Sequence, residues 1–186
     1  MINYGMEELT MKNITDLGSF RRLDLADAGK DFDVFTKIGA EWMLVTAGDE
    51  NGFNTMTASW GFAGIMWNKP CVITAIRPQR YTKSFIDSSD YFTLSFYPAE
   101  CRKALAFCGS NSGRDVDKCE KTGLTPISVD GSVCFEQAQR ILVCRKLYAQ
   151  EMSDSCFIDK TILDEQYLSG DFHTAYYGEI VAIYEK

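Results

Sequence analysis

The sequence predicts a mainly β fold, a barrel interrupted by short helical excursions. Three observations predict it. Apolar, β-branched segments such as CVITAIR, YFTLSFYP and YYGEIVAIY recur along the chain and carry strand propensity. The helical stretches between them are short and sit as insertions between strands, which favours a barrel over a layered α/β fold. No GxGxxG run follows any strand, so a doubly wound parallel sheet is not indicated.

In chain order, residues 1–31 show no clear period and are expected to be irregular or loosely attached, and residues 1–35 to form a peripheral segment. DFDVFTKIG (31–39) reads as a short helix with Phe32, Phe35 and Ile38 along one side. EWMLVTAG (41–48) reads as a strand, and Asn51-Gly52 after it is a hairpin signal. FNTMTASWGFAGIMW continues as a second strand, bent near Gly61 or Gly64. Asn68, Lys69 and Pro70 mark a turn, and CVITAIR runs as a strand until Pro78. Thr82 to Ser88 is expected to be helical with Phe85 and Ile86 inward, followed by the strand YFTLSFYP. AECRKALAFCG (99–109) is expected to be a helix that packs Ala104, Leu105 and Cys108 and stops at Gly109. The polar SNSGRDVDK then leads to a second short helix ending near Gly123. Residues 132–152 are too long for an ordinary strand and lack a helical period, so they read as two strands or one long bent strand; FHTAYYGEIVAIYEK closes the sheet.

Composition narrows the function. The 186 residues suffice for one domain with a sizeable core, and 46% hydrophobic against 24% charged residues is an ordinary globular balance. The net charge of −7 argues against nucleic-acid binding through the overall field, so any anion site must be local. No apolar run approaches the roughly 20 residues of a membrane helix. MINYGMEELTMKN lacks the basic start and apolar core of a signal peptide, so a cytoplasmic location is expected. The seven cysteines form no C-x-x-C pair and have one histidine beside them, so neither a metal site nor a disulfide framework is expected. They read as small apolar fillers.

Three segments hold more polarity than a core needs. NTMTASWG (54–61) would place Thr55, Thr57 and Ser59 on one strand face and Met56, Ala58 and Trp60 on the other. Such a hydroxyl row can bind phosphate or sugar oxygens, although threonine also favours strands for its shape alone. RPQRYTKSF (77–85) concentrates Arg77, Arg80, Tyr81 and Thr82 at an expected helix start. Free first-turn amides and an arginine fork suit a phosphate monoester; the plainer reading is a Thr82 cap beside two solvated arginines. SNSGRDVDK (110–118) offers a tight turn with Arg114, Asp115 and Lys118, or is an ordinary polar loop. Together the segments suit a ligand with a phosphate, a polyol chain and a flat apolar ring lying against Ala58 and Trp60.

These motifs also occur in a recognisable order. NTMTASWG, W-N-K-P, RPQRYT, F-T-L-S-F, SGRDVDK and TGLTP, with the YYGEIVAI ending, resemble the flavin reductase-like family of FMN-binding split barrels. The likeness runs from about Glu41 to Pro126, and residues 1–35 carry none of it. The resemblance implies a six-stranded antiparallel Greek-key split barrel, a homodimer, and FMN near the dimer interface. It implies that Thr57, Ala58, Ser59 and Trp60 line the flavin and that Arg80, Tyr81 and Thr82 serve the phosphate and ribityl end, with Arg77 close behind. Ser112, Gly113, Asp115 and Lys118 would form a loop closing on the cofactor or the partner subunit. It implies an oxidoreductase that takes electrons from NADH or NADPH and passes them to a flavin or another small-molecule acceptor. The alternative is an FMN electron carrier with no nicotinamide-dependent activity of its own. His173 is the candidate catalytic residue, as a donor near the flavin edge; packed beside Tyr176 or exposed at a strand end, it would have no such role. Cys108 could face the flavin or simply pack its helix. Hydride chemistry rests with such a cofactor, so the lack of a Ser/His/Asp set is no objection.

Overall fold

The computed structural model describes residues 12–13 and 18–186. Its strands are β1 (Lys12–Asn13), β2 (Arg21–Arg22), β3 (Met43–Asp49), β4 (Gly52–Ala58), β5 (Gly61–Met66), β6 (Lys69–Ile76), β7 (Tyr91–Phe96), β8 (Pro126–Val129), β9 (Ser132–Phe135), β10 (Arg140–Glu151) and β11 (Thr174–Glu185). Four short α-helices lie between them: α1 (Thr82–Ser88), α2 (Arg102–Ser110), α3 (Lys118–Thr122) and α4 (Thr161–Gln166). The main sheet has eight strands in the order β4-β3-β7-β10-β11-β6-β5, with β2 added on β11, and β1-β8-β9 form a small second sheet. The fold is thus mainly β with helical insertions. The strand count differs from the expected six, and the hydrogen-bond ladder does not join β4 to β5, so the main sheet is open there.

Both faces of this sheet are covered, which is why β3 reads as a continuous apolar run. Met43, Val45 and Ala47 enter one core with Met56, Ala58, Phe92, Leu94, Leu142 and Tyr176. Leu44 points the other way, into a second core with Leu105, Cys108, Ile127, Phe135, Ile141 and Val143. Alternation thus sends successive apolar side chains to two separate interiors. The long segment 132–152 resolves into β9 and a bent β10, whose register against β11 shifts between Val143 and Cys144 and again between Lys146 and Tyr148.

Several local expectations shift. The first helical turn spans Phe35–Ala40 and is wound as a π-helix, with Glu41 N donating to Thr36 O at 2.9 Å. That winding leaves Phe35 85% exposed, while Phe32 and Ile38 are buried. The β3–β4 hairpin forms, but its loop is Glu50-Asn51, with Gly52 already paired to Asp49. The β5–β6 turn is Trp67-Asn68, both at positive φ, so Lys69 and Pro70 belong to the strand. α2 runs through Gly109 to Ser110; the stop expected at Gly109 comes later because the helix continues against β4. Of the stretch 1–31 expected to be irregular or loosely attached, residues 18–31 are largely irregular yet held: the Arg140 guanidinium donates to Lys30 O, and Phe32 just beyond joins the first core. The expectation for residues 1–11 and 14–17 lies outside the described residues. All seven cysteines are free thiols.

Candidate functional site

The break between β4 and β5 opens a cleft of about 280 Å³ lined by Met56, Thr57, Ala58, Ser59, Trp60, Ala75, Arg77, Arg80 and His173. Seven of the residues singled out in the sequence therefore meet here, from three separate stretches of chain. Three larger cavities, about 480, 520 and 330 Å³, lie elsewhere and gather none of them. The cleft exists because the ladder partners of β4 and β5 differ. β4 pairs with β3 up to Ala58 and β5 pairs with β6 from Gly61, so the main chain of Ser59 and Trp60 leaves the sheet. Ser59 and Trp60 thus belong to neither strand, and Trp60 is exposed.

The hydroxyl row does not survive intact. Thr55 is buried, its Oγ1 2.9 Å from Thr46 Oγ1, and it is no part of the cleft. Thr57 lines the cleft but donates its hydroxyl to Leu105 O on α2, at 2.5 Å. It can therefore only accept from a ligand. Ser59 keeps a hydroxyl without a protein partner among the described residues.

Arg80 is half-buried, and burial lowers its pKa. Its Nη1 donates to Gly109 O at 2.6 Å, and no carboxylate among the described residues pairs with it. Lys118 is more deeply buried, donating from Nζ to Thr55 O at 2.7 Å and to Cys108 O at 2.9 Å. Burial pushes its pKa down to about 8, Arg80 adding to the fall and Cys108 opposing it. Two buried cations therefore hold the last carbonyls of α2, a favourable place for positive charge. Neither forms an ion pair with a carboxylate among the described residues. Arg77 differs: it pairs with Asp171, donates to Gln166 O at 2.9 Å, and lies 5.2 Å over the Tyr167 ring.

The first turn of α1 is not the open amide cradle that RPQRYT suggests. Lys83 N donates to Arg80 O at 3.0 Å and Ser84 N to Tyr81 O at 3.2 Å, because a tight turn precedes the helix and already satisfies them. Thr82 is fully buried, and its hydroxyl accepts from Asn54 Nδ2 at 2.7 Å; it neither caps α1 nor reaches the cleft. The SNSGRDVDK loop docks on this junction. A Cβ on Gly113 would lie 2.0 Å from Asn54 Oδ1 and 3.4 Å from Tyr81 Cδ1, so only glycine lets the loop approach so closely. Arg114 stacks 4.5 Å over the Tyr81 ring. Ser112 accepts from Arg114 N at 3.2 Å, while Asp115 is exposed with its backbone N–H on Ser112 O. Tyr81, Thr82, Ser112, Gly113, Asp115 and Lys118 thus build the wall behind Arg80 or its rim and do not line the cleft itself.

His173 is 7% exposed, with its ring 5.0 Å from that of Trp60 and Nδ1 2.8 Å from Tyr167 Oη. Burial, with Arg77 adding and Asp171 opposing, lowers its pKa to about 4, so the imidazole is neutral at pH 7. It packs beside Tyr167 and Trp60 rather than Tyr176. Cys108 is buried in the second core, as helix packing requires. Sequence reasoning missed Asn54, Tyr167 and Asp171. Asn54 stood at the head of a quoted motif; Tyr167 and Asp171 carried no signal, since their roles arise only where the 152–173 connection folds over Arg77. Among the described residues no cluster of His, Cys, Asp or Glu could hold a metal, and no helix is long and apolar enough to cross a membrane.

The family model for the flavin reductase like domain matches residues 35–186, and the chain belongs to that family. Solved structures agree on the fold. An FMN-binding domain of a flavin reductases-like enzyme from Shewanella baltica OS155 superposes with TM-score 0.64 at 16% identity, covering 90% of this chain and 77% of that one. Flavoredoxin of Desulfovibrio vulgaris (Miyazaki F) gives TM-score 0.61 at 19% identity over 78% and 69%. The Streptomyces globisporus C-1027 NADH:FAD oxidoreductase SgcE6, solved with NAD and FAD fragments, gives 0.60 at 18% identity over 88% and 86%. No curated protein sequence gives a significant match.

Proposed function

We propose that the protein is an FMN-binding oxidoreductase of the flavin reductase type, reduced by NADH or NADPH and delivering electrons to a flavin or another small acceptor. The observation that carries this reading is the Arg80 guanidinium: half-buried, without a carboxylate among the described residues, and held by Gly109 O in the lining of a cleft that it shares with Trp60 and Ala58. A cation held in that way is set for an anion, and its fork geometry suits a phosphate monoester. The residues fit FMN. Arg80 would hold the phosphate, with Lys118 adding positive potential from behind. Thr57, Ser59 and the main chain of Ser59 and Trp60 would meet polar edges, and Ala58 and Trp60 would meet the ring. Bound FMN would supply the two-electron chemistry. The chain's own part is to orient, to exclude water beside Trp60, and to present the neutral imidazole of His173.

A homodimer belongs to the same proposal. A cleft of about 280 Å³ falls just below the roughly 300–1,000 Å³ of sites that bury a small ligand. A second copy closing over it would enlarge the enclosure. Next to the cleft, β5 and its turn expose Phe62 (70%), Ile65 (76%) and Trp67 (54%), a band that a second copy would cover. A cytoplasmic location suits seven free thiols. The test is anaerobic stopped-flow absorbance of the FMN-loaded protein mixed with NADH or NADPH. Bleaching at a saturable rate supports the reductase; FMN that binds but stays oxidised with both donors identifies an electron carrier instead.

A further inference from the structure

Tyr167 belongs to no motif in the sequence, yet it is 6% exposed and its hydroxyl has two neighbours. His173 Nδ1 lies at 2.8 Å and Met152 Sδ at 3.5 Å. An imidazole nitrogen is a much better acceptor than a thioether. The phenol has one proton, which can go to Met152 Sδ or to the nearer Nδ1; the nitrogen makes the stronger bond, so the phenol donates to Nδ1. In the reverse arrangement Nδ1–H would donate to the phenol oxygen, and the phenol proton would be left with sulfur alone. Burial raises the Tyr167 pKa, so the phenol keeps its proton. The imidazole is neutral in the folded chain. A neutral imidazole that accepts at Nδ1 carries its hydrogen on Nε2.

The rest of the surroundings hold the phenol in place. Phe172 stacks on the Tyr167 ring at 5.0 Å, and Arg77 lies over the ring while tied to Asp171. Trp60 fixes the imidazole. The only hydrogen bond of His173's ring within the described residues is the one at Nδ1, and the residue lines the cleft with Arg77 and Arg80.

We propose that Tyr167 is a positioning residue that holds His173 in its Nε2–H tautomer, so that the cleft receives an uncharged N–H donor for a carbonyl or ring-nitrogen acceptor of the bound ligand. An uncharged donor beside Arg77 and Arg80 adds no third positive charge, and it keeps its hydrogen across the neutral pH range. The tautomer rests on the hydrogen-bond geometry at Tyr167 and on the neutrality of the buried imidazole; the identity of the ligand rests on the flavin and nicotinamide reading above.

His173 is the chain's only histidine, so protein labelled with ¹⁵N-histidine shows a single imidazole. Long-range ¹H–¹⁵N correlation at pH 7 should report the Nε2–H form in the wild type. Tyr167→Phe removes one oxygen and keeps the ring stack. It should make the Nδ1–H form detectable while the melting transition stays cooperative. A merely structural tyrosine would lower the melting temperature and leave the tautomer as it was. An Nδ1–H wild type, or a tautomer population unchanged in Tyr167→Phe, overturns the proposal. FMN and then NAD⁺ are added to the wild type, with bound FMN followed by its absorbance. The Nε2–H resonance should shift with one of them; movement with neither, while FMN is bound, overturns the donor role. Absence of FMN binding refutes the flavin reading and the donor role together, with the tautomer result still decided by the first measurement.

Discussion

Arg80 and His173 show how burial turns ordinary side chains into site residues. Arg80 loses hydration and gains only Gly109 O among the described residues, which is why the proposed function gives it the phosphate. A charge-assisted bond to phosphate is worth about 1.5–3 kcal/mol, roughly tenfold to a hundredfold in affinity. Arg80→Ala should weaken FMN by that factor, and Arg80→Lys should recover only part, because a point charge cannot reproduce the fork. Calorimetry with FMN and the melting temperature of the apoprotein, measured on the same variants, decide the matter. A fall in apoprotein stability with affinity unchanged would move the phosphate away from Arg80. His173 gives a pH dependence. Its folded pKa of about 4 lies below its ordinary 6.5, so between those values the unfolded chain binds more protons. Stability should be fully present above pH 6.5 and fall as pH drops toward 4, by up to about 3 kcal/mol. Urea midpoints across that range should show the slope in the wild type. His173→Gln, which cannot titrate, should lack that share of it.

At the scale of elements, the site depends on how closely two loops approach. The SNSGRDVDK loop reaches the α1 junction only because Gly113 has no side chain against Asn54. Gly113→Ala forces the loop outward, with the overpacking cost of about 1–3 kcal/mol. It should lower the melting temperature and weaken FMN together, since Ser112 and Arg114 move with the loop. Gly29→Ala is the control, because a Cβ there meets nothing within 4 Å; it should change neither quantity measurably. Gly109 acts in the same way for α2. Its added Cβ would lie 3.3 Å from Thr57 Cβ, and this contact keeps the helix close enough for Thr57 to reach Leu105 O.

For the whole molecule, the open edge at β5 is the decisive feature. Phe62 stands 70% exposed on that edge strand, where an unpaired strand invites association. Light scattering at micromolar concentration should give a dimer mass. Phe62→Glu should shift the mass toward the monomer and reduce FMN affinity with it, since one chain leaves the cleft open. A monomeric wild type that still binds FMN would reject the shared site.

Much of this molecule could be read from residue order. Propensity and alternation located the main strands and α1, because these are local preferences reinforced by burial on both sheet faces. The motifs NTMTASWG and RPQRYT contained seven of the nine cleft residues, and His173 makes eight, since side chains that bind a ligand are confined to a few short stretches. Tertiary structure decided the rest. It buried Thr55 and Thr82 as internal hydrogen-bond partners, satisfied the α1 amides before any ligand could, and left the sheet open at β5. It also set Tyr167 and Asp171 beside a histidine and an arginine. A sequence specifies which groups a segment carries; which of them face each other depends on distances closed by the whole chain, and no local pattern encodes those.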